Sequence, residues 1–128
     1  MEVSEELKLK LWNRAQKVPG FDEHIFRKDP CGAWIIWDRY GMVDNLYGWE
    51  IDHVVPVAVL KEKNVPEEKI DHPINLRAMQ CDNNRRKSDD YPSYFSSVTS
   101  DGNKNIRKEQ SRRVDDEKNE RLKTFLGI

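Results

Sequence analysis

The chain has 128 residues, 37% of them hydrophobic and 35% charged, and a net charge of −1. That length suits one domain with a modest core and is too short for two, while four Trp, four Tyr and four Phe argue against wholesale disorder. The balanced charge excludes the global basic field that announces a nucleic-acid binder, and no apolar run approaches a membrane span.

Taken in order, Ser4 is placed to N-cap a helix running to about residue 18, with Leu7, Leu11, Trp12, Ala15 and Val18 near one face and Pro19-Gly20 as its stop. The acidic start, Met1-Glu2-Val3-Ser4-Glu5-Glu6, lacks a secretory apolar region, so a cytoplasmic protein is the default. Residues 21–32 read as irregular. Ala33-Trp34-Ile35-Ile36-Trp37 predicts a buried strand, core rather than a base-stacking platform. A second strand is predicted at 49–53, a short helix at 57–63, and then a loop containing Pro66. After Pro73 comes a strand at 76–80, followed by a short helix to about residue 87 with Asp82 as its N-cap. Residues 94–99 and 105–109 read as a hairpin around Ser100-Asp101-Gly102-Asn103. A last helix, at 115–126, turns Leu122, Phe125 and Leu126 inward and stops at Gly127. The class is therefore α+β, a single domain over residues 1–128.

Charge is uneven along this chain. Arg77, Arg85, Arg86 and Lys87 cluster in one region, and Lys104, Arg107, Lys108, Arg112 and Arg113 crowd another. Such patches can bind phosphate without a basic isoelectric point, although any one of them alone reads as a solvated face. Cys31 and Cys81 belong to no Cys-x-x-Cys pair, which excludes a four-cysteine zinc site and leaves two buried free thiols as the simplest reading.

The densest chemistry lies in Trp49-Glu50-Ile51-Asp52-His53-Val54-Val55-Pro56, with Asn75-Leu76-Arg77 and Asp82-Asn83-Asn84-Arg85-Arg86-Lys87-Ser88-Asp89 downstream. Asp52 and His53 are neighbours on a predicted strand, so their side chains diverge: one can hold a metal while the other faces a water. Asp71-His72 repeats the dipeptide, but it stands only three residues before Asn75 and directly before Pro73, so it reads as loop. His24 reads as an isolated imidazole.

The pattern Asp52-His53, Asn75, Asn84 resembles the HNH endonuclease motif in the variant that ends in Asn. Ile51, Pro56, Leu76 and the Asn84-Arg85-Arg86-Lys87-Ser88-Asp89 run support it. The nine-residue step from Asn75 to Asn84 is similar to that in the HNH domain of RNA-guided DNA-cleaving effectors. The resemblance covers roughly residues 49–91, and the lead-in from Val18-Pro19-Gly20-Phe21 is similar to small bacterial and phage HNH proteins. It implies a ββα-metal (His-Me finger) core, here with an added N-terminal helix, extra strands and a C-terminal helix.

Carried over by position, the resemblance implies His53 as general base and Asn75 as the residue that ties down the loop bearing that base. It implies Asp52 and Asn84 as ligands of one divalent ion. Asp82 is an auxiliary metal candidate, with Glu50 ranked below it, and Arg77, Arg85, Arg86 and Lys87 are candidates for flanking phosphates. Carboxylate and amide oxygens are hard ligands, so Mg²⁺ or Mn²⁺ fits better than Zn²⁺. An ordinary imidazole, with a pKa of ~6.5, suits base work at neutral pH. The implied partner is DNA, with RNA as the alternative polymer, and the implied products carry a 3′-hydroxyl and a 5′-phosphate. Rival expectations are a non-cleaving nucleic-acid-binding module and a toxin or defence nuclease held by a protein inhibitor. Monomer and homodimer both remain open.

Overall fold

The computed structural model describes residues 1–128. Helix α1 spans Glu5–Arg14; Ser4 caps it by accepting from the Leu7 amide, and Glu5 and Glu6 sit against its positive end. It is one turn shorter than predicted. Ala15 takes an extended backbone, and Gln16 pairs instead with Lys28. That pairing recruits Phe26–Lys28 as strand β1 from a stretch predicted to be irregular, and β1 runs antiparallel to β2, Trp34–Ile36.

Strand β3, Trp49–His53, pairs antiparallel with β4, Leu76–Gln80, in a continuous register from Trp49 opposite Gln80 to His53 opposite Leu76. Two short helices fill the connection: α2 at Val57–Glu62 and α3 at Glu67–Ile70, the latter where a loop was predicted. Pro56 and Pro66 each precede a helix, a position where the missing amide of the ring costs little. Helix α4, Cys81–Lys87, follows β4 directly. Its N-cap is Gln80, whose side chain accepts from the Asn83 amide, and not Asp82 as predicted. The longest hairpin is β5, Ser93–Asp101, with β6, Lys104–Arg113. Helix α5, Asp116–Leu126, is capped by Asp115 and ends at Gly127 in the left-handed conformation.

Both faces of the β3–β4 pair are covered. Ala78 joins Trp12, Ile35 and Trp49 in an aromatic cluster under α1, while its neighbour Met79 belongs to the main core with Val54, Val55, Leu60, Ile70, Leu122 and Leu126. Strand alternation explains the split, since consecutive side chains of β4 leave opposite faces. Trp34 and Ile35 are buried as predicted. No helix is long and apolar enough to cross a membrane.

Candidate active site

At the end of β3, alternation sends Asp52 and His53 to opposite faces. Glu50 and Asp52 share the face covered by α4. There Asn84 Nδ2 donates to Glu50 Oε1 at 3.1 Å, and one helical turn on, Lys87 Nζ lies 3.3 Å from Asp52 Oδ1. The cross-strand neighbour Arg77 donates from Nε to Asp52 Oδ2 at 2.8 Å. Each oxygen of this buried carboxylate therefore meets a cation. Lys87 also donates to the His53 carbonyl at 3.1 Å, so it clamps the strand end. Burial holds the Lys87 ammonium below the usual lysine range, Asp52 opposes that shift, and Arg77 adds to it.

His53 faces a different partner, with Nε2 lying 2.8 Å from Oδ1 of Asp71. Asp71 is the C-cap residue of α3, and Asn75 fixes the path between them. The Asn75 side chain is fully buried. It accepts from the Val55 amide and donates to the carbonyls of Val55 and Ile70, while its own carbonyl accepts from Val54. One amide thus grips the segment just after His53 and the helix that ends at Asp71.

The remaining sequence candidates scatter. Asp82 pairs with Arg107 at 2.9 Å on the outer side of α4 and meets neither Asp52 nor Asn84. This corrects the ranking of auxiliary carboxylates, because it is Glu50 that stands against Asn84. Lys87 is also corrected: it is wholly buried on Asp52, so it is no surface charge for a flanking phosphate. Arg85 lies 3.5 Å from Glu50, and Arg86 pairs with Glu109 above the Phe95 ring. Arg77 is largely spent on Asp52 and the Tyr94 hydroxyl.

Comparison with family models, with curated proteins and with solved structures finds no match. The assignment of chemistry therefore rests on the residues themselves. No three His, Cys, Asp or Glu side chains form a group that could hold a metal. Glu50, Asp52 and Asn84 fit Mg²⁺ or Mn²⁺ by donor type, and of the three only Asn84 and Glu50 touch, through the Asn84 amide nitrogen. Lys87 is the competitor for Asp52, since its ammonium already neutralises one oxygen.

Two residues escaped the sequence. Asp71, read as loop, is the partner of His53; the repeated Ile-Asp-His string was its signal. Asn83 is as buried as Asn75, with Oδ1 accepting from the Ser97 and Val98 amides at the irregularity in β5 and Nδ2 donating to Asp29. Its signal was hidden beside Asn84.

Proposed function

We propose that the chain is a metal-dependent endonuclease of HNH type that hydrolyses phosphodiester bonds in DNA, with β3, β4 and α4 as its ββα-metal unit. The observation that carries this reading is the His53–Asp71 contact on a segment gripped by Asn75. A carboxylate can only accept, so Asp71 selects the tautomer with hydrogen on Nε2 and leaves the Nδ1 lone pair free. Nδ1 then takes a proton from the attacking water, and Asp71 steadies the imidazolium that forms. Arg77 and Lys87 hold Asp52 in place on the other face. Asp52, Glu50 and Asn84 would hold the divalent ion, which supplies stabilisation of charge on the phosphoryl group and the departing oxygen. DNA in preference to RNA follows from the motif resemblance alone.

One observation favours a second reading. Asp52 is already neutralised by two cations, which suits a module that binds nucleic acid without cutting it. A single experiment separates the two. Supercoiled plasmid, linear duplex, single strands and RNA are incubated with wild type and His53→Ala, with and without Mg²⁺ or Mn²⁺. Nicking by wild type that falls at least ~100-fold in His53→Ala, with an unchanged circular dichroism spectrum, is the expected result. Cleavage of none of the four by wild type defeats the nuclease reading; retention without cleavage, unchanged in His53→Ala, favours the binding module.

A further inference from the structure

Asp52, only 3% exposed, already has a cation on each oxygen: Arg77 Nε lies 2.8 Å from Oδ2 and Lys87 Nζ 3.3 Å from Oδ1. Glu50, on the same face of β3, is held more loosely, by the Asn84 amide group and by the exposed Arg85 at 3.5 Å. Asn84 and Lys87 stand one turn apart on α4 and meet the strand from the same side, Asn84 at Glu50 and Lys87 at Asp52. Two buried cations exceed the single charge of Asp52. A divalent ion brought to the same carboxylate is repelled by both, and burial removes the screening that water and salt give at a surface.

Of the two cations, Lys87 is the one able to leave. Arg77 is tied at a second point, donating from Nη2 to the Tyr94 hydroxyl at 3.3 Å. Lys87 has only the His53 carbonyl besides Asp52, and its stem is a flexible chain at the last residue of α4. The next residue, Ser88, holds φ 49° and ψ −128°, a backbone that L side chains rarely adopt, so the helix end that aims Lys87 inward is strained. Asp89, two residues on, is exposed, pairs with no cation and favours the charged ammonium. Inward and outward positions of Lys87 thus each have a carboxylate.

We propose that Lys87 sets the metal affinity of this site: its ammonium and a divalent ion exclude each other on Asp52, and the ion enters as Lys87 swings out toward Asp89. The inference rests on the hydrolytic reading for the ligands, Asp52 with Glu50 and Asn84, and does not depend on cleavage.

The test is Mn²⁺ binding to the full chain without nucleic acid, read from the electron paramagnetic resonance signal of the free ion. Lys87→Met and Lys87→Gln are expected to bind Mn²⁺ roughly 10-fold or more tightly than wild type. Lys87→Arg, which keeps the charge, should stay at the wild-type affinity, and Asp52→Asn in the Lys87→Met background should remove the gain. Thermal unfolding reports that each variant folds. Wild type supplies a second measurement: Lys87 should resist acetylation without the ion and become reactive in excess Mn²⁺, as mapped by mass spectrometry. The proposal is overturned if folded Lys87→Met and Lys87→Gln bind Mn²⁺ no more tightly than wild type, or if Lys87→Arg gains as much as they do. It is also overturned if the gain survives Asp52→Asn, or if excess Mn²⁺ leaves wild-type Lys87 unreactive. A chain that cleaves nothing yet exchanges Lys87 for Mn²⁺ loses the hydrolytic reading and keeps this one. Metal-dependent cleavage with unchanged Mn²⁺ affinity in Lys87→Met does the reverse.

Discussion

At position 53 the imidazole owes its orientation to a carboxylate 18 residues away in the chain. Replacing that carboxylate by Ala should leave the ring free to rotate and to swap tautomers. In the hydrolytic reading, Asp71→Ala then lowers kcat roughly 10- to 100-fold, as loss of an orienting partner commonly does. KM and the melting temperature should change little, because Asp71 is partly exposed and makes no other side-chain bond. Steady-state kinetics beside a thermal melt checks this; a wild-type kcat removes Asp71 from the site. Asp52 and His53 were legible as a diverging pair from the period of a strand. Their partners were not. Arg77 meets Asp52 through strand register, Lys87 through helix docking, and Asp71 through the fold of a connection whose geometry no local periodicity encodes.

Among the elements, β3, β4 and the hairpin of β5 and β6 follow from apolar alternation and turn residues, and the last helix follows from its cap and its glycine. Strand β1 and helix α3 were missed because neither carries its own hydrophobic period; β1 exists by pairing with β2 and α3 by burying Ile70. The connection from β3 to β4 is held by Asn75 more than by propensity. Its side chain makes three hydrogen bonds in a fully buried position, and Asn75→Ala leaves the Val55 amide and two carbonyls unpaired. A loss of about 3 kcal/mol is expected, read as a lower urea midpoint with an unchanged m-value. A variant within a few tenths of wild type would show that water replaces the amide without cost.

For the whole molecule, the two thiols carry a pH signature. Burial, with Asp29 nearby, pushes Cys31 up to about 11, and burial, with Glu50 nearby, pushes Cys81 up to about 12, against an ordinary value of 9.0. The folded state holds these protons more tightly than the unfolded chain. Their contribution is therefore complete below 9.0 and is lost as pH rises through the folded values of about 11 and about 12. Lys87 and Lys118 act in the opposite sense, because their lowered values relieve a penalty as pH approaches 10.5 from below. A comparison of wild type with the Cys31→Ala/Cys81→Ala variant isolates the thiols. Between pH ~8 and ~10 the urea midpoint should fall more steeply in wild type, and equal slopes would contradict the assignment. At neutral pH neither native thiol should react with Ellman's reagent until the chain unfolds.

Local chemistry decided what could be read along the line of the chain: the α+β class, most strands, the caps, the burial of Trp34 and Ile35, and the clustering of Asp52, His53, Asn75 and Asn84 in one stretch. These depend on periods of two and 3.6 residues and on turn residues, which act over a few positions. Only the tertiary structure decided that Lys87 turns inward to Asp52, that Asp82 turns outward to Arg107, and that Asp71 reaches His53. Those contacts join residues far apart in sequence, and their energies depend on burial and on the distance between charges, which exist only once the elements are packed.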